Sequence, residues 1–194
     1  SYLQRWEECQ VEAGRALRLA RDGGFKMWQA NARILTGASM AHLGQREEGV
    51  DEIMRSLFLW EATGAGLVAY GATSLASAYL LVGKRDEGLR VIDESLYRSE
   101  ETWWAPEQHR VRAELLLLTP GHEEEAHDLL IGAIEMARAN GGIGEESWWQ
   151  LLYVFYYETE QTDKVIETLT FLAENWTKKD WIVALAGQLT SQDG

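Results

Sequence analysis

LGQREEGV, residues 43–50, returns as VGKRDEGL, residues 82–89, at an offset of 39 residues. The correspondence continues beyond the turn, with Ile53 matching Ile92, Ser56 matching Ser95 and Leu57 matching Leu96. A looser third copy runs from Gly121 through Glu125 and Ala126 to Leu130 and Ala133. A fourth runs from Thr162, Asp163, Lys164 and Val165 to Leu169 and Leu172. A repeat of this length is the signature of stacked supersecondary units, each unable to bury its apolar face alone. Each copy reads as a helix pair. The glycine closes the first helix in a left-handed cap, and the acids after it sit at the positive end of the second. The small residue at Gly49, Gly88 and Ala126 is expected to let the two helices of a pair approach closely.

The residues between these turns have helical spacing. Pro106 and Pro120 are the only prolines, and apolar residues recur three and four apart. The pattern is clearest over residues 85–102, where Leu89, Ile92, Ser95 and Leu96 share a face while Asp93, Glu94 and Arg98 point to water. The expected fold is therefore all-α: a right-handed α-α superhelix, or solenoid, of about four and a half helix pairs whose first helices line a concave face. A last helix is expected from Lys179, with Ile182, Leu185, Ala186 and Leu189 in phase, as a cap on the array. Pairing residues 180–190 with their copy in a second chain is the route to a homodimer that the sequence offers.

Composition narrows the function. With 194 residues and 46% hydrophobic content, the chain can bury a sizeable core. A formal net charge of -13 disfavours nucleic acid, whose binding needs clustered cations to displace counterions. Cys9 is the only cysteine, so no internal disulfide is available and a cytoplasmic setting is expected. No apolar run approaches the roughly 20 residues that cross a bilayer, so no membrane association is expected. Residues 1–6 lack the basic and apolar regions of a signal peptide.

The repeats resemble the tetratricopeptide repeat family. The best match covers residues 146–178: Trp149, Leu152 and Tyr156 stand at that family's first-helix positions, and Val165, Leu169 and Leu172 at its second-helix positions. Tyr153, Val165, Leu172 and Thr177 depart from its usual small residues and terminal proline. Residues 1–140 resemble more narrowly the helical repeat region of bacterial regulators of the adenylate-cyclase-associated, predicted-ATPase type. That likeness is carried by TWWAPEQHRVRAELLL, residues 102–117, by the two glycine-bounded acidic turns, and by Ala62-Thr63-Gly64. In such regulators the repeats look like a sensor or docking arm, and no phosphate-binding Gly-x-x-x-x-Gly-Lys-Ser/Thr loop occurs in this chain.

Residue usage changes at Gly141, Gly142 and Gly144. Every arginine lies at or before Arg138, whereas residues 141–194 carry only Lys164, Lys178 and Lys179 as cations. The sequence is thus expected to hold a repeat block at 1–140, a glycine-rich junction at 141–144 and a second block at 145–194 ending in the capping helix. Fragments of two parents joined by design account for this better than compositional drift within one natural array.

No catalytic constellation emerges, and no cofactor or metal is expected. His122 and His127 lie five apart, about 140 degrees around a helix, whereas a zinc-binding pair on one helix lies four apart. Glu7 and Glu8 beside Cys9 oppose thiolate formation. In the pairs Trp103-Trp104 and Trp148-Trp149, adjacent helical positions diverge by about 100 degrees, so one member of each is expected in the core. The family resemblance implies groove-facing positions at Tyr70, Thr73, Ser77 and Leu80, and at Ser147, Gln150, Val154, Tyr157 and Glu158. That surface is mixed rather than cationic and suits an apolar or mildly polar protein segment or peptide. The expectation is a non-enzymatic scaffold or protein-interaction module; the alternative is a natural sensor arm holding a peptide or small ligand in its groove.

Overall fold

The computed structural model describes residues 2–63, 69–98, 104–139 and Lys164. Seven helices account for the regular structure of these residues: α1 (Tyr2–Asp22), α2 (Lys26–His42), α3 (Arg46–Glu61), α4 (Ala69–Leu81), α5 (Arg85–Arg98), α6 (Ala105–Leu117) and α7 (Glu123–Ala139). The described residues are all-α, with no strand among them. No helix among them is long and apolar enough to cross a membrane. The chain divides into two compact units, Ser1–Leu129 and Leu130–Gly194, with the boundary inside α7. The residues of the expected second block, Lys164 apart, and the junction glycines lie outside the described residues.

The quoted turns fold as the repeat predicts. Gly44 and Gly83 take φ values of 100° and 73°, in the left-handed region where a Cβ would strain the backbone. The residue after each glycine donates its amide five residues back, Gln45 to the Met40 carbonyl and Lys84 to that of Tyr79, both at 2.9 Å. This is the hydrogen-bond pattern of a Schellman cap, which satisfies carbonyls that the helix end leaves open. The same residue then accepts the first bond of the next helix, from Gly49 N in one case and Gly88 N in the other. Gly121, with φ 94°, opens the third copy, and the Glu123 carboxylate accepts a bond from its amide.

One more such turn joins α1 to α2. Gly24 has φ 71°, and Phe25 donates to the Ala20 carbonyl at 2.8 Å, as Gln45 and Lys84 do in their turns. The sequence of this turn lacks the signal of the others, since Lys26, Met27 and Trp28 follow where acids follow the other glycines.

Packing in the first unit is serial. Helix α2 lies against α1, α3 and α4, and α4 in turn lies against α3, α5 and α6. Ile34, Ile53, Leu57, Leu75 and Tyr79 form one apolar cluster, and Ala76, Ile92, Val111 and Leu115 form another further along. Burying each large aliphatic contributes about 1.5–3 kcal/mol. The equivalence of Ile53 and Ile92 is thus reproduced in space, each fully buried in its own cluster.

The small residues behave less uniformly than expected. A Cβ on Gly49 would lie 2.6 Å from Gly37 O and 2.7 Å from Ala41 N, so α2 and α3 meet backbone to backbone, the predicted close approach within a pair. At Gly88 the nearest atoms belong to Leu115 of α6, the first helix of the next pair. The repeat position is the same, but here the glycine makes room for a side chain arriving from the following unit.

Candidate interaction surface

The described part of the surface that the resemblance implies lies on α4, which touches both α2 and α6. Its four named residues take different roles. Tyr70 is half-buried against the first apolar cluster, with its ring centroid 6.0 Å from that of Trp104 at a 34° tilt. Its hydroxyl is buried with no hydrogen-bond partner, and burial pushes its pKa up to about 12. Thr73 is buried, and its hydroxyl donates to the Ala69 carbonyl at 2.7 Å, which occupies its donor within the helix. Leu80 packs on the second apolar cluster, and Ser77 is half-buried. Ser147, Gln150, Val154, Tyr157 and Glu158 lie outside the described residues, as do Trp103, Trp148 and Trp149.

Two further groups of polar and aromatic side chains were not found by sequence reading. The first is Trp6 on α1 stacked on His42 at the end of α2, with ring centroids 3.9 Å apart and planes 9° from parallel. Burial lowers the His42 pKa below its ordinary value, and the positive charge of Arg110 adds to the effect. Both effects favour the neutral imidazole over the charged one.

The second group runs along α6. Arg110 donates to Glu107 through Nε at 2.8 Å and Nη2 at 2.6 Å, a bidentate pair, and through Nη1 to Glu114. Burial alone would lower the guanidinium's pKa, but the two carboxylates more than reverse this and hold it raised. Glu114 feels the same burial, which raises its pKa against the opposing pull of Arg110. The spacing of three and four residues was legible in the sequence, but the desolvation that tightens the cluster was not.

Polar side-chain contacts also link successive repeats along the turns. Lys84 beside the second glycine turn reaches Glu47 of the first at 3.0 Å, and Arg85 approaches His122 of the third turn at 3.2 Å. Both links span 37 residues, so the polar contacts repeat along with the backbone. Arg112 of α6 joins Asp93 of α5 and Glu125 of α7, at 2.8 and 2.7 Å.

Among the described residues no group of three or more His, Cys, Asp and Glu side chains is placed to hold a metal ion. Cys9 is half-buried on α1. His122 pairs loosely with Glu125 and contacts Arg85, whereas His127 lies beside Asp128.

No protein-family model matches this chain, and no curated protein matches it in sequence.

Proposed function

We propose that the chain is a non-enzymatic interaction module, a right-handed solenoid of the tetratricopeptide type that receives a protein segment along its first helices. The observation that carries this reading is the serial contact of α2, α4 and α6, each the first helix of a pair, joined by turns that repeat in sequence and hydrogen bonding. Aromatic and small polar side chains on this row, Tyr70, Trp104 and Ser77, suit an apolar or mildly polar segment better than a charged one. Arg110 favours this too, because its guanidinium is already saturated by Glu107 and Glu114 and offers little to an incoming carboxylate.

Selection of a displayed peptide library against the full chain tests the reading. Enriched peptides should be rich in aliphatic and aromatic residues, should slow amide exchange in α2, α4 and α6, and should lose affinity on Ser77→Arg. Failure to enrich peptides, or protection confined to other helices, overturns it.

The change in residue usage at Gly141 supports a second reading, that two parental blocks were joined to extend the array. If so, residues 1–140 should unfold cooperatively alone in denaturant, while residues 141–194 fold only when attached. A single transition of the whole chain with neither fragment folding rejects the joined-parent account.

A further inference from the structure

A cationic part of this acidic chain lies at the start of α2, where that helix meets α1 and α3. A cleft of about 440 Å³ opens between the end of α1, the first two turns of α2 and the end of α3. Arg21, Lys26 and Arg33 line it, together with Gln29 and Thr63, over an apolar floor that includes Ala30, Ala62 and Leu59. From these residues we propose that the cleft binds a small organic anion bearing two or more anionic oxygens, whether carboxylate or phosphate, with its carbon skeleton against the floor.

The charge balance of the walls supports this. Arg21 and Lys26 are exposed and make no ion pair among the described residues. Arg33 has a long contact with Glu52, at 3.6 Å, and Glu52 is also approached by Arg55 at 3.3 Å, so one carboxylate is divided between two guanidinium groups. Among the other described cations, Arg110 holds two carboxylates, Arg112 bridges two, and Lys84, Arg85 and Arg98 each have an acid within about 3 Å, whereas Arg5, Arg18, Arg46 and Arg90 are exposed without an ion pair among the described residues but do not line this cleft. Three cations and no carboxylate line the cleft, so its walls carry a local positive excess within a protein of net charge -13, although Asp22 and Glu61 flank the lining residues in sequence.

The polar walls have limited spare capacity, which constrains the ligand. The Thr63 hydroxyl donates its hydrogen to the Trp60 carbonyl, and the Gln29 amide donates one of its two to the Ala20 carbonyl at 3.1 Å. The remaining donors are therefore mainly the three cationic side chains and one amide hydrogen of Gln29. Such a set favours an anion over a neutral polyol. The volume matches a metabolite-sized molecule.

Nitrogen-15 correlation spectra of the full chain, titrated separately with citrate and with pyrophosphate at constant ionic strength, test the proposal. Saturable shifts should appear at the amides of residues 21–33 and 59–63 with at least one probe, and the tighter of the two tells carboxylate from phosphate chemistry. The double variant Arg21→Glu with Lys26→Glu should weaken binding by at least about tenfold while leaving the circular dichroism spectrum unchanged. Lys26→Gln, a milder change at an exposed position, should weaken it to a lesser degree and keeps the test readable if the double variant unfolds. Shifts that do not saturate, that spread over the surface, or that survive charge reversal overturn the proposal. Arg21 would then serve only to offset the carbonyl end of α1.

Discussion

At the scale of single residues, identical positions in the repeat do different things because their neighbours differ. Ser56 and Ser95 are equivalent and both buried, yet the Ser56 hydroxyl bonds back to the Glu52 carbonyl while Ser95 accepts from the buried Gln108 amide at 2.7 Å. Ser95→Ala should therefore cost about 1–3 kcal/mol, since it strands a buried amide, whereas Ser56→Ala should cost under about 0.5 kcal/mol. Urea denaturation of the two variants measures the contrast. The glycines give a second one. Gly49→Ala drives a methyl into the backbone of Gly37 and Ala41 and should cost about 1–3 kcal/mol. Gly132→Ala, in α7 with nothing within 4 Å of the added carbon, should instead stabilise by about 0.5–1 kcal/mol. Equal changes in the two would refute the close approach of α2 and α3.

At the scale of elements, the turns carry most of the repeat's information. Those at Gly24, Gly44 and Gly83 each combine a left-handed glycine, a 2.8–2.9 Å bond reaching five residues back, and a bond that starts the next helix. Gly44→Ala and Gly83→Ala should each cost about 1 kcal/mol, from left-handed strain at an otherwise open site, and a chemical denaturation curve with unchanged slope would report it. These turns were legible because glycine, followed by acids and a small residue, is a local signal. The turn at Gly24 was not, since its hydrogen bonds match the others while its first-turn residues do not. Helix α5 was legible from its apolar face, with Ile92 and Ser95 buried as the spacing of residues 85–102 predicts. The stack of Trp6 on His42 was illegible, because it joins residues far apart in sequence that only the α1–α2 hairpin brings together.

At the scale of the whole molecule, the burial of histidines ties stability to pH. His42 and His109 both have pKa values lowered first by burial and then by a nearby arginine, Arg110 for one and Arg112 for the other. Between each lowered folded value and the ordinary value near 6.5, the unfolded chain binds more protons than the folded one. Stability is thus fully present above about pH 6.5 and falls as pH drops through the folded values. Thermal melts should show a lower midpoint at pH 5 than at pH 7.5, and His42→Gln should flatten part of that slope. An unchanged slope would mean that His42 is not the group being titrated.

The sequence by itself determined the all-helical class, the repeat of 39 residues, and the turns at Gly44, Gly83 and Gly121. These depend on short-range backbone preference and on the spacing of apolar residues, both written within one or two helices. The implied interaction positions were only partly distinguishable in this way. Thr73 is buried with its hydroxyl bonded back along α4, Leu80 is partly buried against the second apolar cluster, and Tyr70 lies near Trp104 at the start of α6. Tertiary structure alone decided that Gly88 admits Leu115, that Arg110 acts on His42, and that Arg21, Lys26 and Arg33 share one cleft. Each of those depends on which helix faces which and at what distance. Burial and Coulomb interaction follow distance in space, and neighbours in space are set by packing rather than by position along the chain.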